Sequence, residues 1–283
     1  MARGERFSMA LFAILFLLVP VLLLVVAIGG AWFEGRRSPH AFGMGRVISN
    51  TFGAIGGAPL ALVAASAVLN APIQLLMPGI MNNVNDVGRM ESAASSIAPF
   101  GLLWLLVYPL VTLFMTRIAL DTLAGQPVDL GAATRLALRR MLPALGLIIL
   151  LAIGLTVGFL FLVVPGIILM LTWFIVLPVM AGEGRGIFEC FGRSAQLLRG
   201  MRWRLLLLLI IVAVMWVLAS VLFQGVGLAI FGTSGNLWGL SLVQALFSTL
   251  TGVLPATGTA AVYHEVRTAK EGSGNHDLES VFA

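Results

Sequence analysis

Charge is what this chain has least of. Asp, Glu, Lys and Arg supply 10% of its 283 residues, against 59% hydrophobic, where a water-soluble domain carries about 25% charged and about 45–50% apolar residues. The shortage is concentrated, because residues 7–33, 47–85, 92–116, 141–182 and 205–264 contain no charged side chain. A helix rises ~1.5 Å per residue, so about 20 apolar residues cross ~30 Å of hydrocarbon. The last two stretches are long enough for two crossings each. Together with a mean hydropathy of +1.03, this excludes a water-soluble core. It implies an all-α, polytopic transmembrane helical bundle.

Cysteine is nearly absent. Cys190 stands alone, which excludes an internal disulfide and a Cys-rich metal framework; its neighbours Phe188 and Phe191 point to a buried thiol. The three histidines, His40, His264 and His276, lie in no HExxH or CxxC context, so neither a metal nor any other cofactor is expected. No GxxxxGKS/T phosphate loop and no GxSxG elbow occurs, and with them go the common nucleotide and acyl-transfer chemistries. The chain reads as a non-enzyme. His264 and Glu265 read as polar residues ending the last helix.

Basic charge is present, and almost all of it is arginine, Lys270 being the one lysine. A sequence pI near 10.6 invites nucleic acid. The arginines, however, cluster at the ends of apolar stretches, which is the pattern of topology setting and head-group contact. No nucleic-acid partner is expected.

Seven spans are expected, over 9–31, 52–77, 99–120, 142–163, 166–180, 205–225 and 237–263. Arg3 and Arg6 before the first run resemble a secretory signal, but the run exceeds the usual ~7–15 residues and no convincing small-x-small cleavage site precedes Trp32-Phe33. We expect a retained helix; six spans result if it is cleaved. Fourteen Lys and Arg residues, including Arg46, Arg117, Arg139, Arg199 and Arg267, fall on one side, and three (Arg3, Arg6 and Arg89) on the other. The richer side should be cytoplasmic, which puts the C-terminus inside.

Val164-Pro165-Gly166 suits a type II turn folding spans four and five into a hairpin, and Pro178 should kink or end span five. Short basic segments at 42–51, 130–140 and 187–201 each precede a hairpin. In the last, Ile187, Phe191, Ser194, Leu198 and Met201 share one helical face, with Glu189 and Arg193 spaced to pair on the other. Such segments lie in the head-group plane. They suggest three repeats of an interfacial helix plus a two-helix hairpin.

Arg117 and Asp121 stand one turn apart and should pair at the end of span three. Tyr108, Thr112 and Thr116 flank Pro109, as Asn70 and Gln74 bracket Pro72. These polar groups either repair backbone bonds freed by proline or line a polar pathway. Gln224 and Gln244 are candidate interhelical partners. Gly53 with Gly57, and Gly154 with Gly158, have GxxxG spacing. That spacing permits close helix packing, in this chain or in a homo-oligomer.

Val164-Pro165-Gly166, Trp173, Leu177-Pro178, Glu183, Arg193-Ser194, Gly200 and Trp203 occur in an order that resembles the bacterial membrane-domain family associated with glycerophosphoryl diester phosphodiesterases. Residues 121–128 are similar to its cytoplasmic connector and 263–267 to its closing helix end. The likeness spans roughly 42–267, and the extra first span departs from its six-span pattern. The resemblance implies an inner-membrane protein connected with lipid or envelope upkeep, without the phosphodiesterase domain.

The expected organisation is an N-terminal helix and connector (1–41), a six-span membrane domain (42–267) and a disordered cytoplasmic tail (268–283). Two functions remain open. One is a scaffold engaging anionic phospholipid through Arg193, Arg199, Arg202 and Arg204, with Trp203 as interface anchor. The other is a transporter or channel lined by Asn70, Gln74, Tyr108 and Thr112.

Overall fold

A computed structural model describes the backbone of residues 28–29, 32, 42–81, 87–231 and 237–282, and their side chains except for 77–100, 102 and 273–282. The expected first span lies outside these residues apart from 28, 29 and 32. The described residues form an all-α bundle with no strand. Its helices are α1 (Met44–Gly57), α2 (Pro59–Met81), α3 (Val87–Leu123), α4 (Leu130–Phe161), α5 (Val163–Thr172), α6 (Val176–Glu183), α7 (Ile187–Leu198), α8 (Arg202–Phe231), α9 (Leu237–Thr251) and α10 (Val253–Phe282). Six runs are long and apolar enough to cross a membrane, counting α5 with α6 and α9 with α10 as one each.

Three units follow one another. The first is α1 with the hairpin α2–α3. The second is the polar start of α4 with the hairpin formed by the rest of α4 and α5–α6. The third is α7 with the hairpin of α8 and α9–α10. Each unit packs its leading elements on the second span of the unit before it: α4 lies on α3, α7 and α8 on α6 and α5, and α1 and α2 on α10 and α9. The last contact closes a ring, and α3, α6 and α10 touch one another inside it. The main core accordingly joins Leu113, Leu120, Val179, Met180, Ala261 and Val262.

Local chemistry sets most boundaries. The Asp129 carboxylate accepts from the Gly131 and Ala132 N–H groups at 2.8 and 3.0 Å and starts α4. Gly184, at φ 66°, ends α6 in the left-handed conformation open to glycine. Ala58, at φ −152° and ψ 61°, is non-helical ahead of Pro59 and separates α1 from α2. Residues 130–140 were expected as a separate interfacial helix but form the first turns of α4. No glycine or turn residue lies between them and the span, and α4 runs through Pro143.

The hairpin turn sits elsewhere than expected. Leu162 is the extended residue between α4 and α5, while Val164, Pro165 and Gly166 lie in the first turn of α5, where proline's missing N–H has no helical acceptor to lose. Gly166 has no positive φ. Its role is contact, because a Cβ there would stand 2.5 Å from the Phe159 ring, and one at Gly158 would stand 3.2 Å from the Gly166 Cα. Gly154 faces Trp173 on the same seam, so the second glycine pair does pack a hairpin. In the first pair only Gly57 is in contact, against Thr122, and Gly53 meets open space.

Span five breaks at residues 173–175, one turn before Pro178, which lies in the first turn of α6. Span seven breaks at Gly252, between α9 and α10. A carbonyl freed at such a break costs several kcal/mol (about 4–8 in a medium without hydrogen bonds) unless it finds a donor. The following unit supplies one each time. Ser194 Oγ donates to Thr172 O at 2.8 Å, and Ser66 Oγ donates to Thr249 O at 2.7 Å. Both serines are fully buried.

Gly158→Leu forces α4 and α5 apart and should lower stability by about 1–3 kcal/mol, while Gly53→Leu should change it by less than ~0.5 kcal/mol. Thermal unfolding in detergent, followed by tryptophan fluorescence, separates the two. Equal effects would contradict the assigned seam.

Candidate functional site

Each second span ends in a buried carboxylate: Asp121 on α3, Glu183 on α6 and Glu265 on α10. Their side chains are 8%, 9% and 7% exposed. A carboxylate taken from water is tolerated only when paired and hydrogen-bonded. In two of the three cases the partner is an arginine on the interfacial helix of the following unit. Arg193 of α7 reaches Glu183 at 3.0 Å, and Arg46 of α1 reaches Glu265 at 2.6 Å. Both arginines follow a glycine, Gly45 and Gly192. Asp121 departs from the pattern and takes its own helix's Arg117 at 2.9 Å, the pairing expected from their spacing.

Further donors complete these anions. Glu183 accepts from Arg185 at 2.5 Å and from the Tyr263 hydroxyl at 3.1 Å, and the Gly43 N–H donates to Glu265 at 3.1 Å. Arg193 also contacts Glu271, which accepts from Arg267 at 2.9 Å. Burial disfavours the charge on Arg193, yet Glu271 and Glu183 hold its guanidinium above its ordinary value. Glu189, expected to pair with Arg193, instead accepts from the Gly186 N–H at the start of α7. The competing Glu183 is buried whereas Glu189 is exposed, so Glu183 has more to gain from the cation.

Between α3, α6 and α10 the ring opens into a cleft of about 550 Å³ at this same end. Arg117, Asp121, Gln126, Gly182, Tyr263, His264, Arg267, Thr268 and Glu271 are among its lining residues. Nδ1 of His264 is buried without a hydrogen-bond partner among the described residues. His264 and Glu265 do not end a helix, because α10 continues from Val253 to Phe282. The segment from Thr268, expected as disordered tail, is therefore helical. Its first turn is fixed by Arg267–Glu271 and by Lys270, whose ammonium donates to Gln196 O and Arg199 O at 2.7 and 3.0 Å. That ammonium caps the C-terminal carbonyls of α7.

The expected lipid-contact residues separate. Arg193 is 18% exposed and held by two carboxylates, so it is a structural ion-pair member. Arg199 is exposed, and Arg202 is half-buried with an Nε that has no acceptor among the described residues. Trp203 and Arg204 stand beside them at the start of α8. The expected pathway residues do not line the cleft. Asn70 donates to Ser66 O at 3.0 Å and Thr112 to Tyr108 O at 2.6 Å. The carbonyls freed by Pro72 and Pro109 belong to Val68 and Leu105, so neither side chain performs the repair. Gln74 is half-buried, Tyr108 stacks near Trp104 at 4.9 Å, and Gln224 is exposed. Neither Gln224 nor Gln244 makes an interhelical hydrogen bond among the described residues.

Cys190 is fully buried, as expected. Burial and the nearby Glu183 push its thiol up to about 11, so it is protonated and unreactive near neutrality.

No family model, curated protein or solved structure matches the chain.

Two outcomes check this site. Cys190 should resist maleimide at pH 7.5 in the folded protein and label fully in denaturant; rapid native labelling would refute its burial. Arg193→Gln leaves Glu183 short of a partner and should cost about 3 kcal/mol, in the range for breaking a buried pair. Arg46→Gln should cost less, since Arg46 is 61% exposed. Denaturant titration of both variants gives the ranking.

Proposed function

We propose that the chain is a non-catalytic scaffold of the bacterial inner membrane whose basic, cytoplasmic face engages anionic lipid. One observation carries this reading: the interfacial segments set exposed arginines among exposed large apolar side chains. Arg139 stands between Leu138, 59% exposed, and Leu142, 69% exposed, and Phe188 on α7 is 78% exposed. Water alone offers no reason to present such side chains beside cations; a head-group layer accepts both. The excess of arginine on this side supports the cytoplasmic assignment. The likeness to membrane domains associated with glycerophosphoryl diester phosphodiesterases supports a bacterial inner membrane and a role in lipid or envelope upkeep.

Arg139, Arg199 and Arg202 are the residues to which this reading now assigns head-group contact, with Trp203 and Arg204 beside them. Arg193 leaves the set because its charge is spent on Glu183 and Glu271. The attraction is worth about 1 kcal/mol per arginine near an anionic surface.

A second reading, a transporter or channel for a small or amphipathic solute, is favoured by one feature. The second spans of the second and third units are both interrupted, at 173–175 and at Gly252, and paired interruptions in repeated units mark substrate sites in many transporters. On this reading Asn70, which abuts Gly252, borders the pathway with Gln74, Tyr108 and Thr112.

Replacing Arg139 and Arg199 together with Gln should lower co-purifying anionic lipid about 30-fold in relative affinity, from ~2 kcal/mol of lost attraction. Unchanged retention would remove the lipid reading. Water-soluble thiol reagents reaching single cysteines at 70, 74, 108 and 112 would favour transport, and protection at all four would count against it.

A further inference from the structure

The cleft between α3, α6 and α10 has a charge arrangement that selects among ligands. Arg117 and Arg267 contribute cations, and Asp121 and Glu271 contribute anions. Arg117 spends Nε and one terminal nitrogen on Asp121, and Arg267 spends Nε on Glu271 and one terminal nitrogen on the Tyr263 hydroxyl. A guanidinium carries five N–H donors, so each retains donors, and the two side chains are 29% and 50% exposed. Glu271 accepts from Arg193 as well as from Arg267, each carboxylate oxygen keeps a second lone pair, and Glu271 is 40% exposed. A purely anionic ligand would meet two carboxylates here, and a purely cationic one two guanidiniums. Only a group carrying both signs complements the lining.

Depth and size narrow the choice. The cleft lies where the second spans meet the interfacial segments α1 and α7, which is the level of lipid head groups. Its volume of about 550 Å³ is that of a small-molecule site. Among the described residues its lining holds one Tyr and neither Phe nor Trp, and its anions are carboxylates. That favours an ammonium with N–H donors over a quaternary one, for which an aromatic cage is the usual host. We propose that this cleft binds the head group of a zwitterionic phospholipid bearing a primary ammonium, with Arg117 and Arg267 holding the phosphate and Glu271, backed by Asp121, holding the ammonium. His264 Nδ1, buried at the same wall without a partner among the described residues, gains an acceptor if its ring turns toward the phosphate. The site is separate from the peripheral arginines proposed above to meet anionic lipid, and does not depend on them.

Native mass spectrometry of the full chain in detergent tests this, using phosphatidylethanolamine and phosphatidylcholine of identical acyl chains. The ethanolamine lipid should be retained about tenfold better, the worth of a charge-assisted hydrogen bond, and soluble phosphoethanolamine should displace it. Glu271→Gln should bring the two lipids level. Thr268 donates only to its own helix at His264 O, at 2.8 Å, so Thr268→Phe fills the cleft without breaking an ion pair. It should abolish the preference while leaving the unfolding temperature unchanged. Equal retention of both lipids by the wild type, failure of phosphoethanolamine to compete, or a preference that survives Thr268→Phe would each overturn the proposal. Loss of anionic lipid in the Arg139/Arg199 variant would leave it standing.

Discussion

Burying a carboxylate at the end of each second span creates an obligation that the rest of the architecture answers. Glu183 and Glu265 are buried carboxylates that need ion-pair partners, and the cations come from Arg193 and Arg46 on the units that follow. Glu265 and Arg46 lie 219 residues apart, so that pair exists only when the last unit meets the first. Such a pair adds little net stability over an apolar contact, but half of one is strongly unfavourable. The carboxylates therefore penalise every arrangement in which the units are out of order. Asp121, supplied by Arg117 from its own helix, carries no such information about its neighbour.

The same logic applies to the backbone. Interruptions at 173–175 and Gly252 would leave carbonyls unpaired in hydrocarbon, and Ser194 and Ser66 answer them from the next unit. Side chain and main chain thus impose one cyclic order. Apolar packing of α3, α6 and α10 fills the interior, but apolar contact is non-directional and does not by itself select which hairpin stands beside which.

Much of the fold was legible in the sequence because a bilayer imposes length and the absence of charge. The six described spans, the amphipathic face of α7 and the Arg117–Asp121 pair all follow from spacing within about 20 residues. What could not be read from local spacing is long-range. Glu189 stood nearest Arg193 along the helix, yet the more deeply buried Glu183 takes the cation. His264 and Glu265 looked like a helix end because polar residues often are one, but contacts with α1 and α7, made by Glu265 and Lys270, accompany α10 as it runs on through them. The two prolines signalled breaks but not their positions. Pro165 and Pro178 both lie in the first turn of a helix, so the breaks fall before them, at Leu162 and at 173–175. One signal was available: an acid at the end of every second span, and a Gly-Arg step in two of the three interfacial segments. Those recurrences point to the cleft's end of the molecule more clearly than the prolines do.

The ring therefore gives the lipid-facing surface, the basic interfacial segments and the central cleft fixed relative positions, and any binding role depends on its closure between α2 and α9–α10. A Cβ at Gly252 would lie 2.5 Å from Ser66 Oγ, which makes this junction directly testable. In a Cys190→Ala background, Ser66→Cys combined with Gly252→Cys should form a cross-link within a single chain when native membranes are oxidised. No cross-link, or one formed only between separate chains, would contradict the closed ring.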